Sequence, residues 1–263
     1  MKLIPCIEML YKAEHPGFTD RFRAAQADGF DAVDMWLWRD KPMDAVADAV
    51  AETGVQVFSL CADPRASLVN PAEHAAVLAA VRDTVPVARR VNGQLKGAGA
   101  PARIILASGF AMPGVAEAEQ RANIVAVLRE AARIAADGGV ELLLEPVHMV
   151  IGGHLMAVHQ VRQGLDLVEA VDHPALRLLA DVYHGAVSGE TFAQAFADRT
   201  GLVAHVQVAD FEGRHEPGTG ALDWSGLLPL LRQRGYTGSI GLEYLPTLPI
   251  DQSLALTRRT LGL

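Results

Sequence analysis

The sequence predicts an α/β protein with the architecture of a (β/α)8 barrel, or TIM barrel. The chain has 263 residues, a length at which such barrels commonly form one domain. Short apolar runs recur eight times, and a longer, alanine-rich segment with apolar residues at helical spacing follows each run. We therefore expect a single barrel domain over residues 1–263.

The eight apolar runs are expected to form parallel strands. Strands of a parallel barrel are covered on both faces, so their sequences are apolar almost throughout. The runs are Leu3–Ile7, Ala32–Trp36, Val55–Cys61, Arg103–Ala107, Glu141–Glu145, Leu176–Asp181, Val203–Gln207 and Ser239–Glu243.

Helices are expected between the runs. The segment Ile124–Ala136 (IVAVLREAARIAA) has apolar residues at positions i, i+3, i+4 and i+7. An open doubly wound sheet is the competing architecture, but no G-x-G-x-x-G sequence opens the chain. The glycine-rich stretch 92–101 (NGQLKGAGAP) lacks the Lys-Ser/Thr pair of a phosphate loop, and we predict a flexible loop there, before the fourth run.

Composition and charge narrow the class of protein. The formal net charge is −8, from 23 Lys and Arg against 31 Asp and Glu, so no nucleic-acid partner is expected. Cys6 and Cys61 lie in apolar runs and are expected to be free thiols of a cytoplasmic protein in a reducing compartment. No apolar stretch reaches the roughly 18 residues of a membrane span, and no signal peptide is recognisable, so no membrane partner is expected.

Oxygen-bearing side chains end the last four apolar runs. Glu145, Asp181, Gln207 and Glu243 each occupy the final position of a run. In a barrel the carboxyl ends of the strands meet at one mouth, where active sites of this fold lie. Three carboxylates there would repel one another unless a cation offset their charge, and oxygen ligands suit Mg²⁺ or Mn²⁺. An Asp or Glu after a strand is often only a loop or helix-capping residue, but four such ends in succession favour a metal site.

Further polar residues are expected around this mouth. His184 follows Asp181 by three residues and is predicted either to orient a substrate oxygen or to bind the metal. His148 follows the fifth run and is predicted to line the pocket. The loop 211–220 (FEGRHEPGTG) contains Arg214, whose guanidinium suits a carboxylate or polyol substrate. The alternative for this loop is a surface turn with a salt bridge.

Two other pairs of side chains receive structural interpretations. His154 and His159 are expected on the surface of a helix, because their spacing does not match a zinc-binding H-E-x-x-H motif. Trp36 is expected in the core, and Trp38 is expected to form a wall of the mouth.

A set of motifs in the second half of the chain resembles a known family. HVQVADFEGRHEPGTGALDW, with LLLEP and DVYH before it and IGLEY after it, is similar to hydroxypyruvate isomerases, which belong to the xylose isomerase-like sugar isomerases and epimerases. The resemblance is densest between about Val115 and Leu245, and GRHEPGTG is its strongest motif. The segments Phe58–Asn70 and Val147–His159 depart from the usual family sequence.

The resemblance implies a xylose isomerase-like barrel and assigns roles within it. Glu145 and Glu243 match the paired carboxylates that transfer protons and also bind the metal. Asp181 and Gln207 match the remaining metal ligands. The implied cofactor is therefore a divalent cation, Mg²⁺ or Mn²⁺, held by all four residues.

The resemblance also implies the reaction. His184 and Arg214 match contacts to substrate oxygens, and His148 is added to them as a pocket residue. The expected enzyme is a metal-dependent aldose–ketose isomerase that moves a proton through an enediolate, converting hydroxypyruvate to tartronate semialdehyde with Arg214 on the carboxylate. The expected partner is a small hydroxyketone or ketose, and a homo-oligomer stays open.

Other functions stay open on the sequence alone. A ketose 3-epimerase, another keto-sugar isomerase, or a lyase or dehydratase acting on a cyclic keto-polyol would use the same site. A barrel that cleaves abasic DNA would need a basic groove and many histidine ligands, which the acidic charge disfavours. A non-enzymatic binding barrel is the last alternative.

Overall fold

The computed structural model describes residues 1–95 and 99–263. Its strands are β1 (Leu3–Pro5), β2 (Ala32–Asp34), β3 (Gln56–Cys61), β4 (Arg103–Ala107), β5 (Leu142–Glu145), β6 (Val150–Ile151), β7 (His154–Leu155), β8 (Leu176–Asp181), β9 (Val203–Val208) and β10 (Ser239–Leu242). Eight of them form one parallel sheet in the order β1-β10-β9-β8-β5-β4-β3-β2. A bridge between Cys6 and Asp34 joins the two outer strands, so the sheet is a nearly closed barrel.

The predicted barrel is confirmed. Each predicted apolar run coincides with one barrel strand. β4 and β8 have the predicted bounds, and β9 extends one residue beyond its run. The two remaining strands, β6 and β7, form an antiparallel hairpin after β5 that the sequence interpretation did not include. It places His154 in a strand and His159 in the loop before the next helix, so the expectation of a helix surface for both was wrong.

Helices alternate with the barrel strands. They are α1 (Asp20–Ala27), α2 (Met43–Thr53), α3 (His74–Arg90), α4 (Glu117–Asp137), α5 (Val161–Val171), α6 (Val182–Val187), α7 (Phe192–Phe196), α8 (Leu227–Gln233) and α9 (Ile250–Leu261). The predicted helix Ile124–Ala136 lies within α4. The predicted loop 92–101 has no helix or strand at residues 92–95 and 99–101, and residues 96–98 lie outside the described chain. No helix among the described residues is long and apolar enough to cross a membrane.

The main core lies between the sheet and the helices. In α5, Val161, Leu165 and Val168 follow helical spacing and are buried against the sheet, which is why this segment is a helix with one apolar face. A second, smaller cluster contains Ile105 and Leu143, which alternate with helix-facing residues of β4 and β5. This alternation directs the second cluster into the barrel.

A buried polar layer crosses the barrel interior below the mouth. The His205 imidazole lies 2.9 Å from Asp34 Oδ2 through Nε2 and 2.7 Å from Ser239 Oγ through Nδ1. Gly241 leaves room for this ring, because a Cβ there would lie 2.5 Å from His205 Nε2. The layer fixes β9 to β2 and β10, and Gln207 lies two residues further along β9, at the mouth.

Candidate active site

A cavity of about 1210 Å³ lies at the carboxyl ends of the barrel strands. Its lining includes Cys61 from β3, Ala107 from β4 and Glu145 from β5, together with Glu243 directly after β10. Loops that follow the strands complete its wall. The predicted mouth of the barrel is therefore a cavity large enough for a small organic molecule.

The structure brings the predicted carboxylates together. Glu145 is the last residue of β5, Asp181 is the last residue of β8, and Glu243 lies one residue beyond β10. Arg214 Nη2 donates a hydrogen bond to Asp181 Oδ2 at 3.1 Å and another to Glu243 Oε2. The guanidinium thus bridges two of the predicted metal ligands, and Gln207 in β9 pairs in register with Asp181.

Asp181 also caps a helix. Its Oδ1 accepts hydrogen bonds from the backbone N–H groups of Tyr183 at 2.8 Å and His184 at 3.4 Å, at the beginning of α6. The ordinary explanation for an Asp after a strand therefore applies here as well. Because Oδ1 serves the cap, the second oxygen is the one directed to Arg214.

Burial and mutual repulsion perturb the carboxyl groups. Burial, together with the charges of Glu243 and Asp181, raises the pKa of Glu145 well above its usual range. Burial also raises the pKa of Asp181 and of Glu243, against the opposing effect of Arg214. The same carboxylates raise the pKa of Arg214, although burial alone would lower it. Such perturbed carboxyl groups in a cavity are typical of a site for proton transfer.

His184 is a neutral, buried imidazole at neutral pH. Burial and then the charge of Arg214 lower the pKa of His184 to about 3. Its Nε2 lies 3.6 Å from Asp181 Oδ2, while its Nδ1 is buried without a hydrogen-bond partner among the described residues. A neutral imidazole can bind a metal or accept a proton from a substrate hydroxyl, so both predicted roles stay compatible with its position.

His148 lies in the cavity wall. Its Nδ1 is 3.0 Å from Ser188 Oγ, which in turn donates to the backbone carbonyl of His159. Burial and the neighbouring His159 lower the pKa of His148. The pocket position predicted for this residue is therefore observed, whereas its contact with substrate stays a prediction.

The loop that carries Arg214 is held at both ends by buried carboxylates. Asp210 Oδ2 accepts from the backbone N–H of Gly218 at 2.7 Å and from Trp224 Nε1 at 2.9 Å. Glu216 accepts from the backbone N–H of Thr247 at 3.0 Å. Arg214 itself has a backbone φ of 57°, a left-handed conformation that this network has to maintain. The loop is thus a fixed part of the site, not the alternative surface turn.

The residues at the mouth fit a divalent cation. Glu145, Asp181 and His184 each offer a ligand atom, and these atoms lie within 4.8 Å of one another. In the part of the chain that the structure describes, Gln207 Oε1 is buried without a hydrogen-bond partner. Buried polar atoms without partners are uncommon, and a cation would satisfy this oxygen and offset the crowded carboxylates.

Sequence interpretation missed two contacts of the site. Trp36, expected in the core, lines the cavity and donates from Nε1 to Glu243 Oε1 at 2.8 Å. Trp38, expected at the wall, packs against the core and donates to Thr84 Oγ1 at 3.0 Å. Trp36 also packs against the small cluster inside the barrel, so its expected core contact is observed together with a place in the cavity wall, whereas the wall position expected for Trp38 was wrong. Glu8 also lines the cavity and accepts from the Trp36 backbone N–H at 3.1 Å, a contact without a sequence motif.

Comparison with curated proteins finds isomerases. The chain is 34% identical over 253 residues to a putative hydroxypyruvate isomerase of Streptomyces coelicolor, covering 86% of this chain and 85% of that protein. It is 31% identical to the putative hydroxypyruvate isomerase of Homo sapiens, with coverage of 89% and 86%. It is 27% identical to the 2-oxo-tetronate isomerase of Pectobacterium atrosepticum, with 87% of each chain covered.

Solved structures share the barrel. A protein of Brucella melitensis described as a family 2 AP endonuclease superposes with a TM-score of 0.81 at 23% identity, over 97% of this chain and 96% of that one. A D-psicose 3-epimerase of Clostridium cellulolyticum superposes with a TM-score of 0.76 at 16% identity, with 99% of each chain covered. At these identities the structures support the fold alone.

Fold and site define a TIM-barrel enzyme with a carboxylate-rich mouth. The model of the xylose isomerase-like TIM barrel family matches residues 22–260. The chain belongs to this family, and with its curated relatives it is an isomerase.

Proposed function

We propose that the chain is a metal-dependent aldose–ketose isomerase that converts hydroxypyruvate to tartronate semialdehyde. The observation that carries this proposal is that Glu145 and Glu243 line one cavity, with Asp181 joined to Glu243 through Arg214 and paired in register with Gln207. These four residues would hold a divalent cation. His184, which offers a ligand atom within 4.8 Å of those of Glu145 and Asp181, would be a further ligand or a substrate contact. When bound, the cation supplies positive charge that stabilises the negative charge developing on the substrate oxygens.

Two carboxylates carry out the proposed proton transfer. One of Glu145 and Glu243 removes a proton from the hydroxyl-bearing carbon of hydroxypyruvate, which leaves an enediolate. A proton then returns to the former carbonyl carbon, and the product is tartronate semialdehyde. Hydrogen bonds from Arg214 and Trp36 favour the ionised form of Glu243, as a general base requires.

The substrate oxygens are proposed to contact His184, Arg214 and His148. His184 is uncharged at neutral pH, so it can exchange a hydrogen bond with a hydroxyl group without adding charge to the site. His148 is anchored through Ser188, which fixes the direction of its ring.

A ketose 3-epimerase is a second candidate. The cavity of about 1210 Å³ leaves room for a sugar larger than a three-carbon acid. An epimerase would use the same two carboxylates but return the proton to the opposite face of the same carbon.

Proton exchange in D₂O followed by NMR tests the proposal. The enzyme, loaded with Mg²⁺ or Mn²⁺, is given hydroxypyruvate or a ketose, with and without a chelator. We expect deuterium uptake and tartronate semialdehyde from hydroxypyruvate, abolished by the chelator. Glu145→Gln and Glu243→Gln should each lower turnover by about 10²–10⁴-fold, whereas Glu119→Gln, on the exposed surface of α4, should not.

Any other result of the exchange experiment would change the proposal in a specific way. Exchange on a ketose alone would keep the proton chemistry and favour the epimerase. Near-normal turnover in either site variant would remove that residue from the mechanism, and exchange that persists in the chelator would refute the dependence on a metal.

A further inference from the structure

Three cationic side chains from Lys and Arg line the cavity among the described residues: Lys41, Arg65 and Arg214. Two of them are already paired with carboxylates. Lys41 Nζ lies 2.8 Å from Glu8 Oε1, and Arg214 bridges the site carboxylates. Arg65 is different, because within residues 1–95 and 99–263 it takes part in no ion pair.

The acidic residues before and after Arg65 are engaged in other contacts. Asp63 Oδ2 accepts from the backbone N–H groups of Trp38 at 3.0 Å and Arg39 at 2.8 Å. Glu73 accepts from the backbone N–H of Ser67 at 3.0 Å and from Asn70 Nδ2 at 3.1 Å, and it thereby holds the loop that follows Arg65. Arg65 is exposed on the cavity side of this ordered loop. Its guanidinium thus lies at the cavity beside the Cys61 thiol, and since it has five N–H donors, others remain for a ligand.

The charge of Arg65 acts at the reacting end of the cavity. Burial raises the pKa of Cys61 to about 12, and the positive charge of Arg65 opposes this rise. Arg65 and Glu145 line the same cavity. In a 2-keto acid the carboxylate is bonded directly to the carbonyl carbon, so the group that binds it has to lie near the proton-transfer residues.

Arg214 is poorly suited to bind that carboxylate. It is the hydrogen-bond partner of both Asp181 and Glu243, which are buried. If Arg214 turned towards a substrate anion, these carboxylates would lose their compensating charge, a change that is strongly unfavourable in a buried site. Arg65 can bind an anion without breaking any ion pair.

Much of the remaining cavity wall is apolar, including Phe110, Met112 and Met156. A sugar hydroxyl group that faced these apolar side chains would have no partner there, at a cost in binding. An acid with one anionic end matches a wall in which one guanidinium takes part in no ion pair among the described residues.

We propose that Arg65 binds the carboxylate of the substrate and makes the enzyme selective for hydroxy-keto acids over uncharged ketoses. This inference deepens the proposed function and rests on it for the identity of the reacting site. Arg65 lies in the segment Phe58–Asn70, which departs from the usual sequence of the family that the chain resembles.

Binding of glycerate tests the inference independently of turnover. Glycerate is a three-carbon hydroxy acid without a keto group, and glycerol is its uncharged counterpart. The Mg²⁺-loaded enzyme is titrated with glycerate or glycerol. Binding is followed through the tryptophan fluorescence, to which Trp36 in the cavity wall contributes. Arg65→Met should weaken glycerate binding at least about tenfold, the scale of one charge-assisted contact, and leave glycerol unaffected. Arg65→Lys should restore part of the loss.

The matched control is Arg82→Met, which removes the same charge from the exposed face of α3. It should leave glycerate binding unchanged. Equal affinity in wild type and Arg65→Met, an equal loss in Arg82→Met, or no binding of glycerate to wild type would each overturn the inference.

The failures of the two proposals are distinguishable. If no substrate exchanges protons while glycerate binding still depends on Arg65, the proposed reaction is wrong and the anion site stands. If hydroxypyruvate is isomerised with the same KM by Arg65→Met and wild type, the reaction stands and the assignment of Arg65 is overturned.

Discussion

Replacement of Asp210 by alanine tests whether the Arg214 loop depends on one buried carboxylate. Asp210 is fully buried and receives hydrogen bonds from four donors. Its Oδ2 binds the Gly218 N–H and Trp224 Nε1, and its Oδ1 binds the Leu222 N–H at 3.2 Å. One side chain thus joins both ends of the loop.

The expected loss of stability is set by the hydrogen-bond donors that lose Asp210 as their acceptor. The indole N–H of Trp224, which is buried, would lose its partner at a cost of about 1–3 kcal/mol. The backbone donors are partly exposed and can turn to water, so each adds about 0.5–1 kcal/mol at most. With three such backbone donors, we expect Asp210→Ala to lower the free energy of unfolding by about 2–6 kcal/mol.

Urea unfolding at neutral pH measures this change. Turnover should fall as well, because the loop positions Arg214 beside Asp181. Asp198→Ala, on an exposed side chain, is the control and should leave the unfolding midpoint unchanged. A loss below about 1 kcal/mol, within the range of an ordinary surface change, would refute the reasoning.

The pH dependence gives a second test of the same residue. Burial alone would raise the pKa of Asp210, but hydrogen bonds from Trp224 and backbone N–H groups outweigh it and lower the pKa. The folded-state pKa is therefore below the unfolded value of about 3.9. The stabilisation is present above the unfolded pKa and is lost as pH falls through the folded pKa. Asp210→Ala should lack this part of the acid-induced loss of stability.

Two further predictions concern the barrel interior and the site. Gly241→Ala would place a Cβ 2.5 Å from His205 Nε2, and we expect this overpacking to lower stability by about 1–3 kcal/mol, seen as a lower Tm; an unchanged Tm would contradict the close packing. The hydrogen bond from Trp36 lowers the pKa of Glu243. Trp36→Phe removes this hydrogen bond, so the pKa of Glu243 should rise further. The acid limb of the pH–rate profile should then move to higher pH, and an unmoved limb would exclude Glu243 as the titrating base.

The barrel was predictable because its signal is repeated along the chain. Each strand is covered on both faces, so its apolar run is visible without knowledge of its neighbours. The bounds differ by two residues at β1 and β2 and by one residue at β3, β5, β9 and β10, because pairing with another strand decides the end residues. The convergence of the strand ends then follows from topology alone.

The loops were less predictable, because their conformation depends on contacts distant in sequence. Trp36 reaches Glu243, and no local pattern indicates that contact. The hairpin β6–β7 did have a signal, since Gly152-Gly153 lies between two short apolar segments, and both glycines have positive φ. The direction of Arg65 into the cavity has no counterpart in the sequence pattern at all.

The pairing of β1 with β10 relates the order of synthesis to the order of assembly. During translation β1 emerges from the ribosome before every other described strand, and its hydrogen-bonded partner emerges last. Until then β1 lacks its β10 partner, and the nascent sheet keeps open edges that invite association with other chains. Glu243 arrives only with that final strand. A truncated or still growing chain is therefore both prone to aggregate and without one of its two candidate proton-transfer groups.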